Sequence, residues 1–326
     1  MSVTFVVAGE GGRPDHVLRA RHPAVDRTLA LALLKQGRIH VDGVRADLRT
    51  RCSPGQSVVV DVKAERLGPI HHAPYTVLHQ AEGVIVVDKA AGIAMHPGVG
   101  VPGGDDDDDE SEERPLSVLL RSRFMANERP ADVDPLDGPS FLGRLDRPTS
   151  GLVVAALTRA ALATIEPVWR QGEIRKEYLV IARGRPRNQR IEVPLVGRRP
   201  HQRGKALVEE ARTDIHVVAT TTTGPALTLL VAELFSGRTH QIRRHLKAIG
   251  HPLVGDHRYG ARGDDGQGGL MLHAWRLRRA PGLDDASWPS LLPTTLEAPW
   301  PERLLEVLQA GGINVDAAIA AARALP

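Results

Sequence analysis

Gly143-Arg144-Leu145-Asp146-Arg147-Pro148-Thr149-Ser150-Gly151 runs directly into the apolar stretch Leu152-Val153-Val154-Ala155-Ala156-Leu157. Pro148 biases Arg147 away from helix, and Gly151 permits a tight entry into a strand. The segment therefore reads as a turn-like loop that carries one carboxylate, Asp146, between two arginines and feeds an apolar strand. Neighbouring guanidiniums keep a carboxylate ionised, which suits a nucleophile or base in the groove of an anionic substrate. The same residues also read as an Asp/Arg salt bridge in a surface loop, and local chemistry leaves both readings open.

A chain of 326 residues is long enough for a main domain with one accessory domain. The 42% apolar share supports an ordinary buried core, and the 25% charged share is that of a globular protein. The formal net charge of +3 conceals an uneven distribution. Asp105 to Asp109, Glu110, Glu112 and Glu113 gather eight acids in one short run; without them 42 bases face 31 acids, a body of about +11. A basic body with one acidic loop points to a polyanionic partner, most simply nucleic acid. Cys52 is the only cysteine, which excludes an internal disulfide or a cysteine metal cluster. The segment Met1 to Val7 is short and lacks a basic leader, and no apolar run reaches the roughly 20 residues of a membrane helix. A soluble, cytoplasmic protein without membrane attachment is expected.

Working outward, residues 13–62 read as a small basic module. Pro14 sits near the first turn of one helix, and Asp26 to Gly37 forms a second, with Asp26 as N-cap and Gly37 as stop. Arg38 to Gly43 reads as a strand and tight turn, and Ser57 to Val62 as a further strand. A linker leads to the larger domain, where Val77-Leu78-His79 and Val84 to Lys89 look like successive strands. Lys89 reads as solvated and His96 as a loop histidine. The acidic segment 98–115 has no apolar period and reads as an insertion; it lacks the spaced ligands and turn glycine of a calcium loop. Residues 126–139 read as loop.

Beyond the opening stretch, Thr158 caps a helix marked by Leu162, Ile165 and Trp169. In the strand Arg175 to Ala182, Tyr178 and Val180 share one face, Leu179 and Ile181 the other. Arg183, Arg185, Arg187 and Arg190 make a basic loop, and Arg198 to Lys205 a second. Antiparallel strands are expected near 212–219 and 226–234. In the segment after Phe235, Ile242, Leu246 and Ile249 recur at i, i+4 and i+7, predicting a helix with Thr239 as N-cap and Gly250-His251-Pro252 as stop. His240 and His245 are five apart, not the four of a helical zinc motif, so no metal site is expected. Residues 253–260 read as loop, Met271 to Leu277 as a late strand, and helices close the chain through Gln309 and near Val315 to Ala324.

Four separated blocks, GRLDRPTSGL at 143–152, RKEYLVIARG at 175–184, SGRTHQIRRHLKAIGHPLVGDHRYG at 236–260 and MLHAWRL at 271–277, closely resemble the RluA-type pseudouridine synthases. VIVVDKAAGIAMHP at 84–97 resembles the start of that family's catalytic region. The N-terminal module resembles the RNA-binding domain named after small-subunit ribosomal protein four. The resemblance implies an α+β chain with a mixed, largely antiparallel catalytic sheet. It divides the chain into a small α+β RNA-binding module at 1–63, a linker at 64–74 and a catalytic domain at 75–326. It also implies conversion of uridine in structured RNA to pseudouridine, with no cofactor and no metal.

By the same resemblance Asp146 is the catalytic aspartate, Tyr178 stacks on the target base, and Arg243 pairs with the aspartate. Arg144 is associated with extrusion of the nucleotide, and Arg147, Thr149, Arg238, His240 and Gln241 are further substrate-binding positions. Gly143 departs from the family's usual histidine. Ribosomal RNA is the favoured target, transfer RNA the alternative, and a monomer the default. A catalytically silent RNA-binding or ribosome-assembly factor is the competing class, and retention of Asp146, Tyr178 and Arg243 argues against it.

Overall fold

The computed structural model describes residues 3–7, 11–22, 30, 33–34, 37–61, 74–96, 115–127, 135–198, 206–260, 268–283 and 288–325. The acidic run, the linker up to residue 73, most of the second N-terminal helix and the basic segment 199–205 lie outside the described residues. The chain divides into two compact units, Met1–Pro74 and Tyr75–Pro326.

In the first unit a four-stranded sheet is ordered β1–β4–β2–β3, with β1 at Val3–Val6, β2 at Ile39–Val41, β3 at Val44–Arg45 and β4 at Ser57–Val60. Period-two alternation turns Val58 and Val60 inward. There they meet Leu18 of helix α1 (Pro14–Arg21), together with Ala30, Leu33, Leu34 and Cys52. Asp42 (φ 49°) and Gly43 (φ 80°) form the two-residue turn between β2 and β3, where both positions need positive φ.

The second unit is built on a ten-stranded sheet. Its strands are β5 (Tyr75–Ala81), β6 (Val84–Lys89), β7 (Pro135–Phe141), β8 (Ser150–Thr158), β9 (Ile174–Arg183), β10 (Gln189–Ile191), β13 (Thr213–Thr220), β14 (Leu227–Leu234), β15 (Leu272–Arg279) and β16 (Thr295–Glu297). The main path runs β10–β13–β14–β9–β15–β8–β6–β5, with β16 paired to β15 and β7 to β8. A separate ribbon joins β11 (Leu195–Arg198) and β12 (Ala206–Glu209). The helices are α2 (Leu116–Asn127), α3 (Arg159–Arg170), α4 (Gln241–Ala248), α5 (Glu302–Ala310) and α6 (Val315–Arg323). This is an α+β fold with a mixed, largely antiparallel sheet.

The parallel pairing of β8 with β15 sets Ser150 opposite His273 and Gly151 opposite Ala274. On the other side of β15, Ala274 also faces Tyr178 of β9. The strand that leaves the Asp146 loop is therefore one strand removed from the strand that carries Tyr178. Gly151 is indispensable to this seam. Its φ is +113°, and a Cβ there would stand 2.1 Å from the Ala274 carbonyl oxygen.

Alternation along β9 assigns its faces as expected. Leu179 and Ile181 join Leu229, Val231, Trp275, Leu304 and Leu308 beneath α5 and α6. Val180 and Ala182 join Leu230, Ala232, Ile242 and Leu246 beneath α4, and Tyr178 packs on that side. Tyr178 and α4 thus share a sheet face because of a two-residue period on the strand and the Ile242/Leu246 stripe on the helix. Buried Glu177 grips both Arg276 and Arg278 across to β15, which reinforces this register.

Two local expectations change. Residues 126–139 are not all loop, since α2 reaches Asn127 and β7 begins at Pro135. Pairing to the wholly buried β8 overrides the Pro/Gly composition, and the register slips between Pro135 and Ser140, where Gly138 and Pro139 lie. Thr239 is also not the N-cap of α4. His240 takes that place at φ 53° with no side-chain cap, because the Gln241 side chain folds back onto the Arg238 amide instead.

Candidate active site

Asp146 lies in the loop that enters β8, and the loop is fixed from behind by backbone. The Thr149 amide donates to the Asp146 carbonyl at 3.0 Å. The next carbonyl, Arg147, accepts from the Gly92 amide at 2.8 Å and from Lys89 Nζ at 3.3 Å. Arg147 Nε in turn donates to the Gly92 carbonyl at 2.9 Å.

Lys89 is not solvated. It ends the buried strand β6, is itself fully buried, and donates to the Ala90 and Ile93 carbonyls at 2.9 Å each. Burial pulls its pKa down to about 7, and Asp146 is the strongest opposing influence. It is a clamp under the aspartate loop, invisible in sequence because its ligands are carbonyls rather than side chains.

The Asp146 carboxylate is 23% exposed, and Arg243 Nη1 donates to its Oδ2 at 3.1 Å. His240 Nε2 stands 3.8 Å from the other oxygen. Arg243 is buried on the first turn of α4, and Asp256 holds it through two 2.9 Å hydrogen bonds, from Nε and Nη2. Asp256 is oriented by the amides of Arg258 and Tyr259 at 3.1 and 2.9 Å. Burial opposes the charge of each, but the ion pair outweighs it: Arg243 is held above its ordinary pKa and Asp256 below. The Tyr259 hydroxyl meets His240 Nδ1 at 2.9 Å.

Tyr178 is half-buried, and its phenol is pushed upward in pKa first by burial and then by the Asp146 charge. It therefore stays neutral at ordinary pH. A partly exposed carboxylate is bonded to an anchored guanidinium, and its charge reaches a neutral aromatic. Such a group can hold a planar base while presenting a carboxylate oxygen to the sugar or base.

Other expected residues divide. Arg144 is exposed beside the loop, and Arg147 is half-buried through its bond to Gly92. Thr149 is buried, its hydroxyl without a hydrogen-bond partner among the described residues. Arg238 reaches Glu209 at 2.8 Å and the Glu210 carbonyl at 3.2 Å. Gln241 does not reach outward. Its amide accepts from Ser236 and the Arg238 amide and donates to the Arg212 carbonyl and Thr213, which uses all four hydrogen-bonding positions inside the protein. It supports the loop that leads into α4. Asp256 is legible in sequence only as part of a loop. A lone acid between Gly255 and the Arg258-Tyr259-Gly260 turn is the available signal.

The family model for RNA pseudouridylate synthases matches residues 83–248. A ribosomal large subunit pseudouridine synthase D from Nitrosomonas europaea is 30% identical over 82% of this chain and 76% of its own length. A ribosomal large subunit pseudouridine synthase C from Haemophilus ducreyi is 26% identical over 82% of this chain and 84% of its own. Among solved structures, human RNA pseudouridylate synthase domain containing 1 covers 77% of this chain and 96% of its own at a TM-score of 0.52; at 24% identity that likeness concerns the fold. The chain belongs to the RNA pseudouridylate synthase family, of the RluA type, and is an RNA-modifying isomerase.

Proposed function

We propose that this enzyme converts uridine in ribosomal RNA to pseudouridine with Asp146 as its catalytic carboxylate. The N-glycosidic bond to N1 breaks, the uracil turns, and a bond from the sugar to C5 forms; C5 gives up a proton and N1 gains one. Asp146 supplies the ionised oxygen that attacks or stabilises charge during this sequence. Arg243 pairs with it and aims it, and Tyr178 stacks on the extruded base. Arg144 fills the vacated stack or holds phosphate, since a guanidinium is planar and cationic. Arg185 and Arg187 extend a phosphate-contacting surface from an exposed loop. The basic N-terminal module, with its likeness to the domain of small-subunit ribosomal protein four, anchors structured RNA. The enzyme acts as a cytoplasmic monomer.

The observation that carries the reading is the partly exposed Asp146 carboxylate paired with a guanidinium that is itself locked to Asp256. The ribosomal target is favoured by the names of the two relatives above, both ribosomal large subunit pseudouridine synthases. The test incubates wild type and Asp146→Asn with unmodified RNA and maps pseudouridine. The variant is expected to bind RNA without modifying it, and equal modification by both removes Asp146 from the role. Mapping total cellular RNA with and without the gene tests the target; loss confined to a transfer-RNA site rejects ribosomal RNA.

A further inference from the structure

Gly143 opens the Arg144-Leu145-Asp146 sequence, and its backbone lies outside the left-handed region that demands glycine. Space is what requires glycine here. A Cβ at 143 would stand 2.8 Å from Cζ2 of Trp169, with Cη2 and Cε2 of the same indole next at 3.6 and 3.7 Å. The edge of the indole fills the volume that any other side chain would enter.

Trp169 is half-buried, and its backbone is held in place. It lies in the last turn of α3, whose start is capped by the Thr158 side chain and whose Ala161, Ile165 and Val168 are buried in the core. Its carbonyl accepts from the Gly172 amide, and the Val168 carbonyl from the Glu173 amide, so the helix end is fixed. The indole packs against the core cluster that contains β6 and β8 residues. Lys176 Nζ stands 5.1 Å from the centre of its ring, a cation–π contact. Lys176 and Tyr178 are two residues apart on β9, hence on one strand face.

We propose that Trp169 is a positioning residue of the active site, holding the entry of the Asp146 loop through its contact with Gly143. The loop is then fixed at both ends: by the indole edge before Arg144, and by Lys89 and Gly92 at the Arg147 carbonyl. Between them Leu145 is buried, Arg144 is exposed and Asp146 is partly exposed. Gly143 and Trp169 form a matched pair, so a side chain at 143 is tolerated only if the indole is made smaller. The inference rests on the assignment of Asp146 as the catalytic carboxylate.

Single-turnover modification of RNA, RNA affinity and thermal melting decide it, measured on full-length wild type, Gly143→Ala, Trp169→Phe, the double variant and Asp146→Asn. Gly143→Ala should lose on the order of 100-fold in rate, as expected for a displacement of about 1 Å at the reacting group, with RNA affinity nearly unchanged. Trp169→Phe, which lacks the clashing edge, should lose less. The double variant should recover to the level of Trp169→Phe, because residues in contact are not additive. Multiplying losses in the double variant, or full activity in Gly143→Ala, overturns the proposal. If Gly143→Ala is too unstable to assay, the comparison of Trp169→Phe with the double variant decides the same question. Rate losses that merely follow melting temperature assign Trp169 a stability role and also overturn it. Activity in Asp146→Asn locates the failure in the assignment of Asp146 instead.

Discussion

Asp256 holds Arg243 through two of its three guanidinium nitrogens, which leaves Nη1 alone to face Asp146 at 3.1 Å. The Arg243–Asp146 pairing is therefore set by a third residue, Asp256, that lies outside the pair. Replacing Asp256 with Ala leaves a buried guanidinium short of its main counter-charge and should destabilise the protein by about 3–5 kcal/mol. Asp256→Asn keeps the shape and should fold, but with a lower turnover and little change in RNA affinity. Melting curves and single-turnover rates check both; an Asp256→Asn enzyme with wild-type turnover would show that Arg243 needs no such anchor.

Lys89 should behave as a support of the loop rather than a group in solvent. Lys89→Met keeps the apolar stem but leaves the Ala90 and Ile93 carbonyls without their buried donor. Each such loss costs roughly 1–3 kcal/mol. We expect a lower melting temperature and, at temperatures where the variant is folded, a reduced rate, since the Arg147 carbonyl also loses a donor. Unchanged stability and rate would refute the clamp.

His273 predicts the acid limb of stability. It is buried against the Ser150 hydroxyl at 2.8 Å, and burial, helped by the Arg303 charge, lowers its pKa from 6.5 to about 3. Between those values the unfolded chain binds more protons than the folded one, so stability is lost as pH falls through that window. From about pH 6.5 to about pH 4.5 the loss from this residue is about 2 kcal/mol. His273→Gln, which cannot titrate, should flatten that part of a melting-temperature profile. An acid limb of unchanged slope would mean that other groups dominate it.

Gly151→Ala should be among the most damaging single-methyl changes in the chain. The new Cβ meets the backbone of Ala274, which cannot move aside without separating β8 from β15, and the φ of +113° adds strain. The expected outcome is loss of soluble, folded protein, assayed by expression and melting. A well-folded Gly151→Ala enzyme would contradict the tight seam described above.

Much of the site can be read in the residues. The Asp146 loop, the two faces of β9 and the Ile242/Leu246 stripe of α4 all follow from turn chemistry and periodicity, and these elements carry the aspartate, the tyrosine and the arginine. Lys89 and Asp256 are not legible there because each is defined by partners distant in sequence: carbonyls at 90, 93 and 147 for one, Arg243 for the other. Gln241 departs from expectation for a related reason. A polar residue in a basic segment looks available until the fold accounts for all its hydrogen bonds.

The kinds of elements and the ordered blocks that mark a pseudouridine synthase can be read along the chain, because they depend on local conformational preference and short-range spacing. How those blocks meet is a matter of the fold. The parallel pairing of β8 with β15 places Gly151 and Tyr178 on either side of Ala274, and the α4 face beneath the sheet brings Arg243 to Asp146. Gly143 shows the division most plainly: its sequence marks a departure, while its reason, the edge of Trp169, lies on a helix reached only through the fold. Contacts between residues far apart in the chain depend on which surfaces are buried together, and no local pattern specifies that.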